Sequence, residues 1–69
     1  MDVSYNRLFK LLIDKGMKKM EFAKLVGISA NTLAKLSRNE TVSMDVLVKI
    51  CRGLDCKVED VFEILPETK

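Results

Sequence analysis

Apolar side chains recur at helical spacing through most of this chain. Leu8, Leu11 and Leu12 follow the i, i+3, i+4 rule, with Lys15 at the next step and Phe9 and Ile13 widening the arc. This predicts a helix over residues 5–15. Ser4 stands where it can cap that helix, but Arg7 occupies the position where a capping box wants Glu or Gln. Gly16 supplies the left-handed residue that ends it. A second helix is predicted over residues 19–26, with Phe22, Ala23, Leu25 and Val26 as its core contacts. The stretch Gly27-Ile28-Ser29 then reads as a tight turn. Gly27 can stop the helix in the left-handed conformation at least cost. Ser29 can accept a hydrogen bond from an orphan N–H of the next helix. That third helix, residues 30–38, turns Leu33 and Leu36 inward, and Asn39 is suited to closing it.

Residues 39–42 form a loop. Ser43 then caps a fourth helix, residues 44–53, with Asp45 in its first turn, where the macrodipole favours an anion. Val46, Leu47, Ile50, Cys51 and Leu54 make its buried stripe. A loop over residues 54–57 leads to a fifth helix, residues 58–64, with Glu59 and Asp60 in its first turn. Val61, Phe62, Ile64 and Leu65 are its apolar side chains, and Pro66 prevents continuation. Residues 1–3 read as an arm and residues 67–69 as a tail. Gly16, Gly27 and Gly53 all read as helix-end glycines, which leaves no phosphate-cradling loop.

The third helix has an outer face that the core does not need. Ala30, Asn31, Thr32, Ala34, Lys35 and Arg38 lie on it. Asn31 and Lys35 are one helical turn apart and share a face. The face is narrow, small near its start, and carries amide, hydroxyl and ammonium groups. A surface of this kind can enter the major groove of DNA. An Asn amide makes a bidentate pair with adenine N6 and N7, and a Lys ammonium donates to guanine O6 or N7. Thr32 offers a methyl group or a hydroxyl, and Ala30 makes apolar contact or permits close approach. These four are the candidate base-contacting residues.

The stretch over residues 18–38, KKMEFAKLVGISANTLAKLSR, resembles the helix-turn-helix of the Cro and phage-repressor type of regulator. Ala23, Gly27, Ile28, Leu33 and Leu36 fall at that family's spacing. The following RNETVSMDVLVKICRGLDCKVEDVFEI is similar to its fourth and fifth helices. The resemblance extends to a small stand-alone bacterial subgroup consisting of little more than the DNA-binding domain. It implies an all-α fold, a compact five-helix bundle of the lambda-repressor-like type, formed by a single domain over residues 1–69. It further implies sequence-specific binding to double-stranded DNA and a role as transcriptional regulator, with repressor as the expectation. Lys18 departs from the family's Ser or Thr cap, and Lys19 from its DNA-touching Gln. Both retain an ammonium near a helix N-terminus, a place that suits a phosphate. With Arg38, Thr41 and Ser43 they are the candidate backbone-contacting residues. Glu40 opposes a phosphate locally. Regulators of this family bind palindromes as dimers, and Phe62, Leu65 and the surplus apolar surface of helix 1 are the candidate homodimer interface.

Charge strengthens the DNA reading. The 69-residue chain carries a net +2. Residues 1–38 hold eight cationic side chains against three carboxylates, a net of +5, and residues 39–69 hold four against seven, a net of −3. Such a dipolar domain approaches a polyanion motif-first.

Other chemistries find little support. There is no histidine, which removes the commonest general base and metal ligand. Glu59, Asp60 and Glu63 cluster without a cleft partner, so no catalytic activity, metal or other cofactor is expected. Cys51 and Cys56 lack further ligands for structural zinc. They are expected to be buried as small hydrophobes rather than paired, because a reducing cytosol disfavours disulfides. No apolar run approaches the roughly 18–20 residues needed to span a bilayer, and no signal-peptide pattern opens the chain, so a cytoplasmic location is expected. The four aromatic residues Tyr5, Phe9, Phe22 and Phe62 offer no stacking platform for RNA. The competing reading is an antitoxin-like or other protein-interaction module that keeps the fold and uses its surface to hold a protein.

Overall fold

The structure, a computed structural model, describes residues 2–67. Its elements run β1 (Val3–Ser4), α1 (Asn6–Asp14), α2 (Lys19–Val26), α3 (Ala30–Ser37), α4 (Met44–Leu54), a single 3-10 turn (Val58–Asp60) and β2 (Glu63–Ile64). The helix-turn-helix architecture is as expected, with, among the described residues, four α-helices and a small antiparallel sheet where a fifth helix was anticipated.

That sheet is the main departure. Val3 pairs with Ile64 and Ser4 with Glu63, and the Leu65 N–H donates to the Asp2 carbonyl at 2.9 Å. The segment read as a fifth helix makes only one 3-10 turn before it extends. A helix of under two turns has little stability of its own. Val58, Val61 and Ile64 are β-branched and favour extended backbone. The start of the chain, read as an arm, supplies the partner strand. Ser4 therefore lies in β1 rather than at the helix cap. Tyr5 takes the cap position without a side-chain cap bond, and the Ser4 hydroxyl accepts the Asn6 N–H at 3.3 Å. Arg7 ties α1 to the sheet, donating to the Glu59 carbonyl at 3.2 Å and pairing with Glu63 at 3.5 Å. The Met1 part of the arm and the Thr68 and Lys69 parts of the tail lie outside the described residues.

The core takes side chains from every helix. Leu8, Phe22, Leu36, Ile50 and Val61 are fully buried, and α2 packs on both α3 and α4. Leu25, expected inside, is 55% exposed, because α2 turns Phe22, Ala23 and Val26 inward and one stripe is enough. Ile13 lies beyond the edge of the α1 stripe and is also exposed. Cys51 and Cys56, expected to be buried, are only half-buried.

Gly53 corrects the sequence reading in a different way. It lies inside α4, and Asp55 (φ 51°) takes the left-handed position that closes the helix. A Cβ at Gly53 would run into Val26 Cγ1 and lie 3.2 Å from Val26 Cβ. The missing side chain is what lets the end of α4 lie against the end of α2.

Candidate nucleic-acid interface

The bend between α2 and α3 forms from local chemistry. Gly27 adopts φ 79°. The Ala23 carbonyl accepts both the Gly27 and Ile28 N–H groups at 3.0 Å, which closes α2. Ser29 is extended and its hydroxyl accepts the Thr32 N–H at 3.1 Å, which opens α3. Lys49, on α4, reaches the Gly27 carbonyl at 3.5 Å, adding a cation at the C-terminal end of α2, where the macrodipole is negative. The sequence reading missed this contact because it crosses between helices. Leu33 and Leu36 anchor α3 from below, and complete burial of Leu36 fixes the height at which the helix stands above the core.

Above that anchor, Ala30, Asn31 and Lys35 are exposed on one ridge. Among the described residues, neither Asn31 nor Lys35 enters a side-chain hydrogen bond or ion pair with the rest of the protein. Thr32 is different. It is half-buried, and its hydroxyl and that of Ser29 hydrogen-bond to each other at 3.1 Å. Its polar atom is therefore partly committed to the cap.

The residues expected to touch a nucleic-acid backbone fall into three groups. Lys18 stands at the N-cap of α2 with its side chain exposed, while its own N–H donates to Glu21 Oε1 at 3.1 Å. Thr41 is exposed, and Ser43 caps α4 through the Val46 N–H at 3.4 Å, which leaves its hydroxyl proton free to donate outward. Lys19 and Arg38 are engaged. The Lys19 ammonium lies 4.7 Å from the centroid of the Phe9 ring, a cation–π distance. The Arg38 guanidinium pairs with the Glu40 carboxylate. Both contacts are at the surface, where such pairs are weak enough to exchange for a phosphate.

The sequence model of the Cro/C1-type helix-turn-helix DNA-binding domain matches residues 7–67. The chain belongs to this family. As a Cro/C1-type domain, the chain is a helix-turn-helix unit for binding double-stranded DNA. The structure is also similar to the crystal structure of the transcriptional regulator VanUg, at 55% sequence identity and a TM-score of 0.90, covering 96% of this chain and 88% of that one. No curated protein matches the sequence. Among the described residues, no helix of this Cro/C1-type domain is long and apolar enough to cross a membrane.

Proposed function

We propose that this chain is a transcriptional regulator, acting as a repressor, that reads duplex DNA by laying α3 in the major groove. The observation that carries this is the free ridge of Ala30, Asn31 and Lys35, held outward on a bend whose inner side is fully packed. Asn31 reads an adenine through its amide. Lys35 reads a guanine or neutralises a phosphate. Ala30 and the methyl of Thr32 face thymine methyl groups. Lys18, Lys19, Arg38, Thr41 and Ser43 hold the sugar-phosphate backbone and set the register without selecting sequence. The likeness to a transcriptional regulator at 55% identity supports the regulatory role.

One such helix covers only half of a site. The chain therefore acts as a dimer on a palindrome with half-sites one helical turn apart. Phe62, Leu65 and α1 form the interface between copies. Phe62 and Leu65 are both half-buried at the sheet end of the molecule, beside exposed Ile64.

A protein-holding role is the second reading. Ile13, Met20, Leu25 and Met44 are large apolar side chains left exposed at the surface, the kind of surface a protein partner covers. Selection of bound duplexes from a random pool, followed by anisotropy titration, separates the two. The DNA reading requires enrichment of a palindromic motif and duplex affinity well above that for scrambled sequence. No enrichment, together with salt-independent weak binding, would reject it.

A further inference from the structure

Cys51 and Cys56 are related by the geometry that ends α4. Asp55 takes the left-handed conformation, and the Cys56 N–H bonds back to the Cys51 carbonyl at 3.1 Å. This 6→1 closure brings the side chains on either side of it together, a place where many proteins put an apolar contact. Here both partners are thiols. Both are free and half-buried, so neither is sealed in the core. An open groove lined by Leu11, Lys15, Leu54, Asp55 and Lys57 reaches Cys56 from solvent.

We infer that Cys51 and Cys56 form a reversible dithiol–disulfide site that is oxidised by low-molecular-weight disulfides. One thiol, as thiolate, attacks a sulfur of the reagent. A mixed disulfide forms and the first reagent thiolate leaves. The second cysteine thiolate then attacks the protein sulfur of that mixed disulfide. The Cys51 Sγ–Cys56 Sγ bond forms and the second reagent thiolate leaves. The protein loses two electrons and two protons, and both pass to the two released thiols. The bond staples the last turn of α4 to the segment leading into β2. Gly53, within that turn, lies flush against Val26 at the end of α2, so the staple fixes the corner where the helix-turn-helix meets the rest of the fold.

The environment makes this a slow, selective site at neutral pH. Burial, then Cys51 and Asp60, push the Cys56 thiol above its usual range, and Lys15 pulls the other way. The thiolate is the reactive species, so the rate rises as pH rises.

Equilibration with reduced and oxidised glutathione tests the inference on the intact chain. The wild-type protein should lose two hydrogens by intact mass and remain a monomer on a non-reducing gel. Cys51→Ser and Cys56→Ser should each stop at one bound glutathione. The equilibrium constant for the bond should be larger in native buffer than in denaturant, and the oxidised form should unfold at higher denaturant. Two glutathiones bound without an internal bond, disulfide-linked dimers, or a constant no larger in the folded chain would each overturn it.

Discussion

The Tyr5 hydroxyl donates to the Glu40 carbonyl at 2.7 Å, across a separation of 35 residues. The same residue donates its backbone N–H to Asn39 Oδ1 at 3.1 Å, and its ring meets that of Phe62 at 6.4 Å between centroids. Asn39 is the left-handed residue (φ 57°) just beyond α3. The two ends of the chain, joined in the β1–β2 sheet, thus hold the exit of the candidate recognition helix. Glu40 is also the partner of Arg38, so this anchor sets where that candidate backbone-contacting cation stands.

Tyr5→Phe removes one bond to a carbonyl at a site where Tyr5 is 2% exposed. It should lower stability by about 0.5–1.5 kcal/mol in a denaturant titration. Burial raises the Tyr5 pKa above the ordinary tyrosine value of about 10. The unfolded chain then releases this proton first as pH climbs, so the contribution is fully present below about pH 10 and declines above it until the folded-state pKa is passed. The wild-type protein should lose stability in that alkaline window, and Tyr5→Phe should flatten that part of the profile.

Asn31→Ala should leave folding unchanged, because the side chain is exposed and engages nothing in the protein. On the selected duplex it should cost about 1–3 kcal/mol and relax preference at one base position. Anisotropy titration against single-base variants of the site checks both. An unaltered base preference would show that another residue is the reader.

Arg38 and Glu40 should shift binding in opposite directions. Arg38→Ala should weaken binding to all sequences alike and reduce the salt slope by about one unit. Glu40→Gln releases Arg38 from its carboxylate partner and removes a negative charge beside the helix end. Binding to specific and scrambled duplexes should tighten together at low salt, with the gain shrinking as salt screens it.

Gly53→Ala sets helix propensity against packing. Alanine inside a helix is favoured by about 1 kcal/mol, but its Cβ meets Val26, and overpacking a contact of this kind costs about 1–3 kcal/mol. The substitution should lower the denaturant midpoint. Gly53→Ala made in a Val26→Ala background should do less harm than in the wild type, a coupling that a double-mutant cycle reads directly.

Dimer formation is checked by light scattering at micromolar concentration with and without duplex. The expected outcome is a concentration-dependent rise toward a dimer, and Phe62→Ala should weaken it. A strict monomer, free and bound one per site, would remove the proposed interface.

What could be read from the chain alone was what short-range chemistry decides. The bounds of α2, the left-handed stop at Gly27, the Ser29 cap and the inward Leu33 and Leu36 depend on residues within a few positions of one another, and the structure has all of them. Asn31 and Lys35 were legible as a free ridge for the same reason. Tertiary structure decided the rest. Residues 63–64 extend because a strand from the other end of the chain offers hydrogen bonds that a helix of under two turns cannot match. Gly53 is a close-packing glycine only because Val26 lies against it, and Lys19 is occupied only because Phe9 is brought beside it. Local hydrogen bonds and side-chain periodicity act along the chain, whereas pairing and packing partners exist only once the chain has closed on itself.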